Sequence, residues 1–233
     1  MKPFRPFLAA LFMLAACPLA AQQAPVVVEL FTSQGCSSCP PADALLHDLA
    51  RRDDVLALAL HVDYWDYLGW KDEYGDPAHG RRQKGYARAA GRDMVYTPQM
   101  IVAGQEALTG TRAMELADLI ARHKAAPPRA VLEVARSGAA LAVRVAPVGG
   151  AAGGPCDLVL VRYTALRHAD ITRGENAGRR IDYANVVDSL EVVGAWDGQG
   201  PAEFTVPLAG GGDAAILLQR RGHGPILAAA RVQ

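Results

Sequence analysis

Two cysteines carry the clearest chemistry in this chain. They lie three residues apart in Gly35-Cys36-Ser37-Ser38-Cys39-Pro40, between an apolar run and an amphipathic segment. Cysteines at that spacing can close a small disulfide. At the start of a helix, the free N–H groups and the positive dipole end also favour a thiolate over a thiol. Only the thiolate attacks a disulfide, so position alone can turn an inert thiol into a nucleophile. On this reading Cys36 lies on an exposed rim and attacks, and Cys39, one turn in, resolves the mixed disulfide. Two further readings stand beside it, a static structural disulfide and a pair of metal-binding thiolates. A closed zinc site needs four ligands, however, and the chain has no second CxxC and no His-x-x-x-His. No metal site is assigned and no cofactor is expected.

The elements that must position this pair follow from periodicity. Val26 to Phe31 is a short apolar run with Glu29 inside it, as expected of a strand covered on both faces. Ala42, Leu45, Leu46 and Leu49 then mark one face of a helix. Val55–Val62 is a second strand, and Asp76-Pro77 starts a helix that runs to Ala90 across Gly80 and Gly85. Gln99–Ala103 is a third strand, followed by a turn into Glu106–Leu108. Thr111 is placed to cap a last helix with Ala113, Leu116, Ala117 and Ile120 on one face. Alternating strands and helices imply a sheet covered by helices. Ala125-Ala126-Pro127-Pro128 breaks this rhythm and reads as a linker. Beyond it the period becomes two, with short strands between Gly-rich turns, the pattern of a β-sandwich.

The Thr97-Pro98 dipeptide stands immediately before the strand Gln99-Met100-Ile101-Val102. A CxxC after the first strand and a proline before a later one resemble the thioredoxin-like superfamily. The run Val27 to Asp43, with His61-Val62-Asp63-Tyr64-Trp65-Asp66 and Gly174 to Arg179, is similar to a bacterial family of exported, functionally uncharacterised proteins. The resemblance implies an α/β thioredoxin-like domain over residues 22–126 and an all-β sandwich domain over 127–233. It also implies that Pro98 is cis and lies against the disulfide, leaving the Thr97 backbone to pair with an extended substrate. The expected activity is thiol–disulfide exchange on protein or small-molecule thiols. The alternatives are a non-catalytic binding module with a structural disulfide, and a copper- or other metal-binding thiol protein.

Three residues are candidates for tuning the pair. His61 ends a strand and is of a residue type that can tune a thiol or shuttle protons, and Glu29 and Asp63 are carboxylates near buried strands that could accept the resolving cysteine's proton. Tyr64, Trp65, Tyr67 and Trp70 crowd one loop, either lining a groove or covering a sheet edge. Cys156 reads as a buried, inert thiol. The polar segment Gly174–Arg180 is either a contact loop or a ligand site.

Lys2 and Arg5, an apolar stretch from Phe7 to Ala16, and Ala20-Ala21 read as a signal peptide over residues 1–21. Export to the periplasm or beyond is expected, where disulfides persist. Leu14-Ala15-Ala16-Cys17 also resembles a lipobox, which would place a lipid anchor on Cys17. With 24 basic and 24 acidic residues the chain has no field to attract nucleic acid. No apolar run is long enough to span a bilayer.

Overall fold

The structure, a computed structural model, describes residues 24–208 and 210–232. The signal peptide and the Cys17 lipobox expected from the sequence lie outside the described residues. The chain begins with β1 (Val26–Thr32), α1 (Pro40–Ala50), β2 (Val55–His61), α2 (Pro77–Ala89), β3 (Gln99–Val102), β4 (Glu106–Thr109) and α3 (Ala113–Ala125). β1 is buried on both faces throughout, in keeping with its near-continuous apolar sequence. Asp76 caps α2 by accepting the Ala78 N–H at 2.7 Å. Gly85 is interior to that helix because a Cβ there would lie 2.4 Å from the His223 ring.

α3 departs from its expected face. Leu116, Leu119 and Ile120 are buried, Ala113 and Ala117 are exposed, and Arg112 rather than Thr111 holds the N-cap position. The larger leucine at 119 takes the core position because it removes more apolar surface from water than an alanine does.

The second half is all strand: β5 (Ala130–Ser137), β6 (Ala140–Pro147), β7 (Cys156–Ile171), β8 (Arg179–Trp196), β9 (Ala202–Pro207), β10 (Asp213–Arg220) and β11 (Ile226–Arg231). The molecule is therefore mixed α/β, with three α-helices among the described residues. Its main sheet has eight strands in the order β11-β10-β7-β8-β2-β1-β3-β4, so it runs across the Pro127-Pro128 linker without interruption. A second sheet, β5-β6-β9, packs over its β7 and β10 end through Leu141, Val143, Val145, Leu158, Leu160 and Ile216.

β1 and β2 are parallel, and β3 is antiparallel to β1, with Leu30 opposite Met100. α1 and α3 cover one face of this part, through Ala42, Leu46, Leu49, Leu116 and Ile120. Tyr86 of α2 packs on the opposite face with Phe31, Leu58 and Ile101. β8 joins β2 at Ala59 and Val186, and the adjacent Asn185, at φ 48°, donates its side-chain N–H to the Ala57 carbonyl at 2.8 Å. The β7–β8 hairpin is long, and register shifts at Leu158/Val159 and Arg162/Tyr163 bend it. Its far half leaves the other strands and reaches over α1, which brings its tip to the cysteines.

Candidate functional site

Cys36 and Cys39 form a disulfide with their Cα atoms 5.4 Å apart. Cys39 occupies the N-cap of α1 and Pro40 the first helical turn, where the missing N–H costs nothing. The Ala42 and Asp43 N–H groups donate to the Cys39 carbonyl. Thr97–Pro98 is a cis peptide. The Gly110 N–H donates to the Pro98 carbonyl at 3.0 Å. A Cβ on Gly110 would lie 2.8 Å from Ala42 Cβ and 3.0 Å from Pro98 Cβ, so the first turn of α1 and the Thr97–Pro98 turn meet across that glycine.

Cys36 is not on an exposed rim. It is 3% exposed and Cys39 is 0% exposed, while Ser37 and Ser38 between them face solvent. The tip of the β7–β8 hairpin is bonded to the backbone of this loop. Asn176 donates to the carbonyls of both Gln34 and Cys36 at 2.9 Å, and Glu175 accepts the Ser37 N–H at 3.3 Å. The Gly174–Arg180 segment is thus a contact loop, and its contact is the backbone of the cysteine loop.

Two indoles bracket the cysteine loop. Trp65 packs its Cβ against Gly35 and donates Nε1–H to Thr97 Oγ1 at 2.8 Å, tying the CxxC side to the proline side. Trp70 donates to Gln34 Oε1 at 2.7 Å and lies against Gly174 of the tip. Tyr67 stacks on Trp65 and is largely exposed, and Tyr64 donates to Gln83. The aromatic cluster therefore fixes the loop rather than forming one open groove.

Beneath the pair lies a buried polar group that sequence reasoning missed. Asp43 follows Cys39 by four residues, on the same face of α1. It accepts from Thr32 Oγ1 at 2.7 Å through one oxygen, and its Oδ2 is buried without a partner. Burial raises its carboxyl to about 7, against the lowering effects of the His61 charge and the Thr32 hydrogen bond. His61 is fully buried and donates Nδ1–H to Asp72 at 2.8 Å. Burial works to raise Asp72, but His61 and the Gln34 and Tyr74 N–H groups outweigh it and hold that carboxyl below its usual range. Tyr183 of β8 closes the cluster edge-on to His61 at 4.6 Å. Its hydroxyl and His61 Nε2 are likewise buried without partners.

The two carboxylates singled out from sequence lie elsewhere. Glu29 alternates to the opposite face of β1, where Arg82 Nε donates to it at 2.6 Å and the Tyr86 hydroxyl also donates. An ion-paired carboxylate across the sheet cannot serve the cysteines. Asp63 is half-buried in the loop after β2, its Oδ1 near Gly80. The free thiol Cys156 is buried in the other half, where desolvation pushes it up and its S–H points at the Gly154 carbonyl. The signal for Asp43 was present as Cys39-x-x-x-Asp43. An acid in a first helical turn reads by default as a surface complement to the dipole.

The sequence pattern of the family described as "Protein of unknown function (DUF1223)" matches residues 27–219. The chain belongs to this family. The matched span holds the cysteine pair, Asp43, His61, Asp72, Thr97-Pro98 and the Gly174–Arg180 tip, so this DUF1223 chain carries its whole candidate site inside the family region. The crystal structure of protein AGR_C_4864 from Agrobacterium tumefaciens is similar at 33% identity, covering 91% of this chain and 95% of that one, with a TM-score of 0.77. HBP35 of Porphyromonas gingivalis resembles it in fold, at 16% identity over 90% of this chain and 74% of that one, with a TM-score of 0.56. No curated protein matches.

Proposed function

We propose that this protein is an exported thiol–disulfide oxidoreductase whose redox centre is Cys36–Cys39. In this reading residues 22–126 are a thioredoxin-like unit and residues 127–233 a β-sandwich built onto its β2 edge. Support for the fold comes from the strand order β2-β1-β3-β4, with α1 and α3 on one face and α2 on the other. The N-terminal address and an oxidised cysteine pair support export.

In the reduced form the Cys36 thiolate attacks a substrate disulfide, forming a mixed disulfide and releasing one substrate thiolate. Cys39 gives its proton to Asp43 and attacks Cys36. That step restores the protein disulfide and releases the second substrate thiolate, so two electrons pass to the substrate. The reverse sequence oxidises a substrate dithiol. Thr97 offers its backbone to an extended substrate beside Pro98. Ser37 and Ser38 bring no charge, so the Cys36 thiolate rests on the helix N-terminus and on the Ser38 hydroxyl, 3.5 Å from its sulfur.

The observation that carries this reading is Asp43. A half-bonded carboxylate in the core costs stability. A static disulfide gives no reason to keep one a helical turn below its resolving sulfur. A base that titrates near neutral pH is what the resolving step requires.

The test is a trap. Cys39→Ser should accumulate mixed disulfides through Cys36 in the native compartment and identify the substrate. The burial of Cys36 favours one second reading, a purely structural disulfide. A redox titration separates the two: a reversible couple between about −120 and −270 mV supports exchange, and a pair that resists reduction below about −300 mV supports the structural role.

A further inference from the structure

The cover on Cys36 is small, and it is mounted differently from the rest of the hairpin. β7 and β8 stay paired out to Ile171 and Arg179, and their far half is anchored: Tyr74 donates to the His168 carbonyl and Tyr183 packs on His61. The tip beyond Ile171 bonds to the cysteine loop through Glu175 and Asn176. It is bounded by Gly174 at φ 76° and Gly178 at φ 82°, left-handed conformations that glycine adopts without steric cost. Asn176 is 1% exposed and spends both side-chain N–H groups on carbonyls flanking the disulfide, leaving its own Oδ1 buried without a partner. Gln34 Nε2, beneath it, is in the same condition. Buried polar atoms without partners weaken a contact, since each regains hydrogen bonds to water when exposed. The tip therefore closes over the pair through two good hydrogen bonds and a longer one from Ser37, set against two orphaned polar atoms.

We propose that residues 173–178 are a removable cover, and that a thiol reaches Cys36 only after Asn176 has released the Gln34 and Cys36 carbonyls. The exchange reading gives the cover its purpose, but the cover is testable on the disulfide alone. Opening at the two glycines leaves the β7–β8 ladder and the Tyr183–His61 packing in place. Glu175 adds selectivity: closed, its carboxylate takes the Ser37 N–H beside Cys36, where it opposes the approach of an anionic thiol.

The experiment reduces the native disulfide of the full, folded protein with dithiothreitol and counts freed thiols over time. Asn176→Ala should be reduced about tenfold faster than the parent, the equivalent of about 1.4 kcal/mol for two hydrogen bonds lost from the closed state. A folded Asn176→Ala reduced at the parental rate would overturn the proposal. Hydrogen exchange on the unmutated protein gives an independent reading if that variant does not fold. The Gly178 N–H, bonded to the Ile171 carbonyl at 2.7 Å, should exchange at least a hundredfold faster than the β7–β8 ladder. Exchange of Gly178 only on global unfolding would also overturn it. Accelerated reduction with no partner trapped in Cys39→Ser would leave the cover standing and remove the exchange function.

Discussion

Replacing Asp43 with asparagine separates the charge of this residue from its shape. Thr32 Oγ1 keeps an acceptor, the volume is unchanged, and the buried ionisable group is gone. The carboxyl ordinarily titrates near 3.8, and burial raises it to about 7 in the folded chain. The sign follows from proton counting. Below pH 3.8 the acid is protonated in both states and adds no pH dependence. Between 3.8 and about 7 the unfolded chain ionises while the folded chain holds its proton, so stability falls as pH rises; above about 7 the loss is complete. At about 1.4 kcal/mol for each pH unit between those values, the penalty is roughly 4 kcal/mol. Asp43→Asn should therefore match the parent near pH 4 and gain on it steadily to pH 8. The gain should be of that order, or a rise of about 10 °C in Tm for a chain of this size. Urea unfolding of both proteins with the disulfide intact, repeated across pH 4–8, measures the gap. A gap that stays flat with pH, or that closes as pH rises, would refute the placement of Asp43 as a buried, near-neutral acid. The same variant should slow the resolving step, so that it is more stable and less active.

Two other substitutions probe the frame around the site. Gly110→Ala places a Cβ between Ala42 and Pro98 and should cost about 1–3 kcal/mol in urea unfolding, with a change in Trp65 fluorescence as Thr97 shifts; a neutral result would mean that the two turns do not meet there. Arg82→Met strands Glu29 as an unpaired buried charge and should cost about 3–5 kcal/mol at pH 7, partly recovered by adding Glu29→Gln; a cost below about 1 kcal/mol would show the pair to be solvated.

Local order was legible because it is written locally. The largely apolar β1, the Asp76 cap and the first-turn prolines of α1 each announce themselves within a few residues. What sequence could not supply was which distant group meets which. Glu29 reads as a carboxylate near the cysteines until Arg82, from a helix on the opposite face, takes it up. Asp43 reads as a surface acid because the Tyr183 ring that seals it lies 140 positions along the chain. Cys36 reads as exposed for the same reason: Asn176 approaches it from equally far away. His61 was legible as the end of a strand, but not its partner Asp72, which a loop folds back to it. The site is assembled from both halves of the chain, and periodicity within either half has no information about that seam.

That seam has a practical consequence for anyone wishing to dissect the protein. A fragment ending at Ala126 would keep the cysteines, the proline turn and all three helices, yet it would bare the flank of β2 that β8 now occupies at Ala59. An apolar strand with its amides unsatisfied along one side recruits the nearest available partner, including another copy of itself. Such a truncated piece should precipitate or pair with itself instead of reporting on the isolated cysteine pair, and function must be studied on the undivided polypeptide.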